Sequence, residues 1–106
     1  MALDQITSEG QLESAIKDHR SFIIIFSAIW SQLGEATKAN FEKVGAKHAT
    51  LYQAWISTDS NPNLAENHGV KEISTVIGFK DGAQVEEYVG PQLMEHQVEA
   101  FIQKVL

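Results

Sequence analysis

Apolar positions recur along this chain with two different spacings. Residues 22–26 form a continuous β-branched and aromatic run, which is typical of a parallel central strand covered on both faces. Residues 51–56 predict a second buried strand, and residues 2–6 predict a short strand at the edge of a sheet. The chain is therefore expected to build a sheet with this first run at its centre.

Between the strands, apolar residues recur at the three- and four-residue spacing of amphipathic helices. Ser8 and Gln11 have the spacing of a capping box, which predicts a helix that begins after Ser8 and ends near His19. The inward face of this helix is predicted to carry Leu12, Ala15 and Ile16. A second helix is predicted over residues 33–48, with Thr37, Phe41 and Val44 facing inward.

The second half of the chain predicts a short helix, a hairpin and a last helix. Asn61 and Pro62 are typical of a helix cap and first turn, and Gly69 can end that helix in the left-handed conformation. The pair Asp81-Gly82 predicts a hairpin of strands 75–80 and 83–89, because a tight turn needs positive φ angles. The last helix is predicted to bury one stripe, formed by Met94, Val98, Phe101, Ile102 and Val105.

The predicted order β-α-β-α-β-α-β-β-α places the chain in the α/β class. Alternation followed by a hairpin implies a mixed central sheet with helices on both faces. The 106 residues are expected to form one domain, spanning 1–106.

The charge balance narrows the range of partners. The net charge is −6, and the eight basic residues are scattered without a cluster. Nucleic acid and anionic membrane surfaces are bound largely through basic side chains, so neither is an expected partner. No apolar run reaches the roughly 18 residues of a membrane-spanning helix, and the first residues do not resemble a signal peptide. We therefore expect a cytoplasmic location.

The chain contains no cysteine, which excludes an internal disulfide, a thiolate nucleophile and a cysteine-bound metal. Its four histidines lack the spacing of metal ligands, and they are His19, His48, His68 and His96. No cofactor and no metal site are expected.

Several short motifs occur in an order and at spacings that resemble the thioredoxin family. They are Trp30-Ser31-Gln32-Leu33-Gly34, Asp59-Ser60-Asn61-Pro62, Ile73-Ser74-Thr75, Phe79-Lys80-Asp81-Gly82 and Val89-Gly90. The resemblance covers nearly the whole chain. It implies the thioredoxin fold and, for the parent family, thiol–disulfide exchange.

The same resemblance shows which parts of the family's redox site are missing. The two family cysteines fall on Ser31 and Gly34, and the family's cis proline falls on Ser74. The family's buried aspartate falls on Ile25, and the lysine paired with it falls on Trp55. Disulfide exchange requires a thiolate, so the resemblance implies a redox-inactive relative.

The replaced positions have physical interpretations of their own. Ser31 is suited to cap the following helix by accepting an N–H from Leu33 or Gly34, whereas a serine nucleophile would need a general base that the sequence does not supply. Ile25 and Trp55 are expected to touch and to fill with apolar bulk the volume of a charge pair. The Ile73–Ser74 bond is expected to be trans, because a cis bond before a non-proline residue costs about 2.5–4 kcal/mol.

These interpretations lead to three hypotheses for function. In the first, a groove lined by six residues binds a protein or an extended peptide without electron transfer, and these are Trp30, Ser31, Gln32, Ile73, Ser74 and Gly90. Within it, Trp30 serves either partner binding or local packing. In the second, the chain is a thiol oxidoreductase whose native cysteine at position 31 was replaced. In the third, the groove is vestigial and another surface acts, for example in a homodimer.

Overall fold

A computed structural model describes residues 3–28, 30–72, 74–90 and 94–106. Its elements are, in chain order, β1 (Asp4–Gln5), α1 (Glu9–Asp18), β2 (Ser21–Ser27), α2 (Gln32–Gly45), β3 (Leu51–Ser57), α3 (Pro62–Asn67), β4 (Thr75–Lys80), β5 (Ala83–Val89) and α4 (Glu95–Val105). Both the predicted order of elements and the predicted α/β class are confirmed.

The five strands form one mixed sheet in the order β1-β3-β2-β4-β5. β1, β3 and β2 run parallel, whereas β4 is antiparallel to β2 and β5 is antiparallel to β4. Every residue of β2 is buried, because β2 lies at the centre of the sheet and is covered on both faces. β3 is buried only in its second half, since its outer neighbour β1 is two residues long.

Alternate residues of β2 supply two separate hydrophobic cores. On one face, Phe22, Ile24 and Phe26 pack with residues of α1 and α3, among them Leu12 and Leu64. On the other face, the core under α2 and α4 contains Ile23, Ile25, Phe41, Val98 and Ile102. The helices therefore lie on both faces of the sheet, as predicted. Within the described part of the chain, no helix has the length and apolar character needed to cross a membrane.

The hairpin turn and the end of α3 have the predicted backbone conformations. Asp81 and Gly82 have φ angles of 52° and 83°, which are the positive values that the tight turn between β4 and β5 requires. Gly69 has a φ angle of 69° just after α3. Glycine adopts this left-handed conformation without steric cost.

The capping predictions for α1 and α3 are only partly correct. The Ser8 hydroxyl accepts the N–H of Gln11 at 3.2 Å, but the Gln11 side chain accepts the N–H of Thr7 rather than that of Ser8. Asn61 does not cap α3 with its side chain, because its amide donates to the carbonyl of Ser57 at 3.2 Å. In both cases the side chain contacts a backbone group four residues earlier in the chain.

The predicted bounds of α2 and α4 also need correction. α2 begins one residue earlier than predicted, at Gln32, and ends at Gly45 rather than His48. The N–H of His48 donates to the Gly45 carbonyl at 3.0 Å, in a turn that is tighter than an α-helix. Met94 precedes α4 and is exposed, so it does not belong to the buried stripe of that helix.

Four rings form a stacked ladder across the end of the sheet where β2 and β3 begin. Neighbouring ring centroids lie 4.1 Å apart for His19–Tyr52, 5.5 Å for Tyr52–Phe22 and 6.0 Å for Phe22–Phe79. The Tyr52 hydroxyl donates to the Asp4 carboxylate at 2.8 Å. Burial, this hydrogen bond and the charge of Asp4 together raise the pKa of Tyr52 to about 12.

The pKa of Tyr52 can be tested by alkaline titration. We expect one of the two tyrosines to ionise near pH 12, and we expect Tyr52→Phe to abolish that step in the ultraviolet absorbance of tyrosinate. The pKa of Tyr52 is higher in the folded than in the unfolded chain. Its contribution to the free energy of unfolding is therefore fully present below about pH 10 and is lost as pH rises further. Asp4→Asn should lower the pKa without restoring the ordinary value, since burial remains. An unchanged pKa in Asp4→Asn contradicts the assigned contact.

Candidate functional site

Ser31 begins helix α2 as its N-cap. Its hydroxyl oxygen accepts the N–H of Gly34 at 3.0 Å, and its carbonyl accepts the N–H of Glu35 at 3.0 Å. A cap of this kind contributes about 1 kcal/mol to the stability of a helix. The predicted capping role is confirmed, with Gly34 rather than Leu33 as the donor.

No activating group for Ser31 occurs in the described ranges. Its hydroxyl forms its hydrogen bond with a backbone N–H, not with a histidine or a carboxylate of the described residues. A serine nucleophile needs a base within hydrogen-bonding reach. The contacts of Ser31 therefore favour a structural role for this residue over a role as a covalent nucleophile.

Gly34 occupies the position of the second family cysteine, and a side chain there would crowd Ser27. A Cβ atom there would lie 2.1 Å from the Ser27 hydroxyl oxygen, 3.2 Å from Ser27 Cβ and 3.3 Å from the Ser31 hydroxyl oxygen. Ser27 is completely buried at the end of β2. A side chain at position 34 would thus require the Ser27 hydroxyl to move.

The positions of the missing charge pair are filled by packing, as predicted. Ile25 is fully buried, and its neighbour Trp55 on β3 packs against the same core. A feature that the sequence did not indicate is the Lys38 ammonium, which lies 3.6 Å from the centroid of the Trp55 ring and 2.9 Å from the Glu35 carboxylate. A cation over a tryptophan ring contributes about 1 kcal/mol. A positive charge therefore remains near Trp55, but it lies over the face of the tryptophan ring and does not form an ion pair with residue 25.

Ser74 joins the loop before β4 to helix α2. It is only 2% exposed, and its hydroxyl donates to the Thr37 hydroxyl at 3.4 Å. Its carbonyl accepts the N–H of Gly90 at 3.3 Å, which brings these two predicted groove positions together. Ile73 lies outside the described residues, so the trans geometry of the Ile73–Ser74 bond stays a prediction.

Three apolar side chains are exposed around the same end of the sheet. Trp30 is 71% exposed, Leu33 is 50% exposed and Val89 is 46% exposed. The end of β2 pairs with Thr75 at the start of β4, and Thr75 pairs with Val89 at the end of β5. Strands lie about 4.8 Å apart, so Val89 lies about 10 Å from the end of β2. Gln32, the remaining predicted groove residue, lies at the start of α2 and is exposed.

Leu33 and Val89 were not predicted as surface residues of this region. Helical spacing alone places Leu33 near the inward face of α2, four residues before the buried Thr37. Gly34 packs directly on Ser27 at the end of β2, so the turn of helix before Gly34 lies beyond the strand. The exposure of Leu33 thus depends on where β2 ends. The spacing of apolar residues in the sequence does not show that end point.

Two of the four histidines each pair with a single carboxylate. His48 lies 3.0 Å from Glu99, and His68 lies 3.1 Å from Glu9. These pairs join segments 51 and 59 residues apart in the chain and were not predicted. Over residues 3–28, 30–72, 74–90 and 94–106, no group of three or more potential ligands could hold a metal ion.

Comparison with known proteins gives consistent matches over nearly the whole chain. A family model described as Thioredoxin matches residues 4–104. A protein named probable thioredoxin-2 from Caenorhabditis elegans is 30% identical over 99 residues, which cover 92% of this chain and 68% of that protein. Thioredoxin-2 from Pyricularia oryzae is 24% identical over 90 residues, which cover 85% of this chain and 53% of that protein. The chain thus spans about half the length of this fungal relative.

A solved structure shows the same architecture. A mutant thioredoxin from Halobacterium salinarum aligns with a TM-score of 0.85 and 25% identity, covering 99% of this chain and 92% of that one. The order of strands and helices described above is therefore the thioredoxin fold.

The closed space at Gly34 can be tested by a double-mutant cycle. Gly34→Ala should lower the free energy of unfolding by about 1–2 kcal/mol through overpacking, although alanine is normally favoured over glycine in a helix. In a Ser27→Ala background the cost should fall by about 1 kcal/mol, because the hydroxyl that Cβ would strike is absent. The measurement is chemical denaturation of the four proteins. As a control, Gly10→Ala in α1 meets no atom within 4 Å and should not destabilise. Equal effects of Gly34→Ala in both backgrounds would refute the contact.

Proposed function

This chain belongs to the thioredoxin family, and we propose that it is a redox-inactive member that binds a protein or extended peptide at the former active-site groove. The observation that carries the proposal is the 71% exposure of Trp30 beside a site that has lost its thiols. Exposed tryptophans are common energetic centres of protein interfaces.

The missing chemistry supports the redox-inactive part of the proposal. The chain has no thiol with which to attack a disulfide, and the position of the second family cysteine is Gly34, where a side chain would crowd Ser27. Ile25 and Trp55 replace the charge pair that handles protons in the parent family, as the resemblance implies. These changes lie on β2, α2 and β3, so one substitution at position 31 does not explain them.

The remaining surface supports the binding part of the proposal. Trp30, Leu33 and Val89 surround the end of β2 with exposed apolar area, which is unfavourable in water unless a partner covers it. The hydroxyl of Ser31 caps α2, and the hydroxyl of Ser74 joins the loop before β4 to Thr37 of α2. The groove would therefore offer a partner a rigid platform with apolar side chains at its rim.

The outer edge of the sheet at β5 is poorly suited to a homodimer. The pairing of β4 and β5 shifts between Gly78 and Phe79, which leaves Val85 without a partner in the register. The N–H of Glu87 donates to the Glu86 carboxylate at 3.1 Å, so that donor is not available to another strand. Bulges and charges are devices that prevent edge-to-edge pairing. These features favour the groove over β5 as the binding surface.

The binding proposal is tested by affinity capture from the native cell. Trp30→Ala and Leu33→Ala should each weaken a captured partner's affinity about tenfold or more, the loss typical of a central interface residue. Val85→Ala is the matched control, since Val85 is 44% exposed and lies four residues before Val89 along β5. All three variants should unfold within about 0.5 kcal/mol of the wild type, because surface substitutions rarely do more. Partners retained by Trp30→Ala would move the interface elsewhere.

The second hypothesis, an oxidoreductase that lost a native cysteine at position 31, predicts a different result. In our proposal, Ser31→Cys forms a mixed disulfide with a small disulfide reagent but does not turn over in insulin reduction, because no second thiol resolves it. The codon at position 31 in the encoding gene provides an independent control. Sustained turnover by Ser31→Cys would support the oxidoreductase and contradict the proposal.

A further inference from the structure

Met94 supplies one of the two sulfur atoms of this cysteine-free chain, and the other belongs to Met1. Met94 is 57% exposed, and it belongs to neither hydrophobic core. Oxidation of a buried methionine disrupts the packing around it, because the sulfoxide is polar. The Met94 side chain is instead accessible to oxidants in the solvent, and its oxidation would disturb neither core.

Met94 also occupies the N-cap position of α4. Its backbone is extended, with a φ of −76° and a ψ of 162°, and its carbonyl accepts the N–H of Val98 at 2.9 Å. This conformation and this bond are those expected of a helix cap. The Gln97 side chain accepts the N–H of Met94 at 2.8 Å, which is one half of a capping box. The first turn of α4 is thus arranged to receive a capping side chain from position 94.

The other half of this capping box lacks an oxygen atom. The Met94 side chain faces the N–H of Gln97 but forms no cap hydrogen bond with it, since a thioether is a weak acceptor. The serines that cap α1 and α2 accept the N–H three residues later through a hydroxyl, at 3.2 Å for Ser8 and 3.0 Å for Ser31. Helix α4 therefore has a cap in the same register with a weaker acceptor atom.

We propose that Met94 is a site of reversible oxidation by hydrogen peroxide, and that the sulfoxide oxygen accepts the N–H of Gln97 and strengthens the N-cap of α4. In the oxidation, a sulfur lone pair attacks one peroxide oxygen, so the S–O bond forms as the O–O bond breaks. The proton of the transferred oxygen passes to the departing hydroxide, which leaves as water. The sulfur is oxidised, and the peroxide is reduced, by two electrons.

The direction of the expected effect separates this site from an ordinary exposed methionine. A sulfoxide oxygen carries partial negative charge, which is favourable beside the N–H groups at the start of a helix. Because α4 supplies Val98 and Ile102 to the core beneath it, a firmer start of this helix should stabilise the whole fold. Neither the oxidation nor its effect depends on the proposed groove, and neither needs a thiol.

The test is thermal unfolding of the intact chain before and after treatment with hydrogen peroxide, with mass spectrometry to locate the added oxygen. The chain oxidised at Met94 should unfold about 2–4 °C higher, half the shift expected of a full oxygen cap. The nuclear magnetic resonance signal of the Gln97 amide proton should move downfield, because its hydrogen bond becomes stronger. Methionine sulfoxide reductases supplied with dithiothreitol should restore the original midpoint and signal.

The matched control is Met94→Leu, which keeps a large apolar side chain, removes the sulfur and retains Met1. Its unfolding midpoint should not respond to peroxide. Met94→Ser supplies a hydroxyl cap directly, and it should raise the midpoint of the untreated chain by about 4–8 °C. A midpoint that is unchanged or lower after oxidation of Met94, or that rises equally in Met94→Leu, would overturn the proposal. An unchanged midpoint in Met94→Ser would also overturn it, because an oxygen at position 94 would then not stabilise α4.

Discussion

The complete burial of β2 is the constraint on which the rest of this structure depends. Its seven residues carry no charge, and alternate side chains enter the two cores on opposite faces of the sheet. A buried charge would need a buried partner, so a neutral residue at position 25 goes together with a neutral residue at position 55 of the neighbouring strand. The loss of the family's charge pair is therefore one coherent change in packing rather than two separate substitutions.

The same strand controls the geometry of position 34. Ser27 ends β2 and lies so close to the first turn of α2 that a Cβ atom at position 34 would have to displace its hydroxyl. Ser31 then caps that turn, and Ser74 reaches α2 through Thr37. Small hydroxyl-bearing residues occupy the region where the parent family performs thiol chemistry. Their hydroxyls cap α2 and join it to the loop before β4, so this region is held by ordinary hydrogen bonds.

The two ends of the sheet expose different side chains. At one end Trp30, Leu33 and Val89 present apolar area without a reactive atom. At the other end, Asp18 and the His19–Tyr52 stack present charge and a planar face. These surfaces differ in chemistry and lie apart along β3, so each can be altered without disturbing the other.

Local patterns in the sequence were sufficient for the order of elements, the hairpin at Asp81-Gly82 and the capping role of Ser31, because these depend on neighbours within a few residues. The apolar filling at Ile25 and Trp55 followed from the resemblance. The tertiary structure alone determined the exposure of Leu33 and the close contact between Gly34 and Ser27. It also determined the position of Lys38 over Trp55 and the pairing of His48 with Glu99. Each of these depends on where a strand ends or on which distant segments meet. Periodicity reports which face a residue occupies, but it does not report what lies opposite that face.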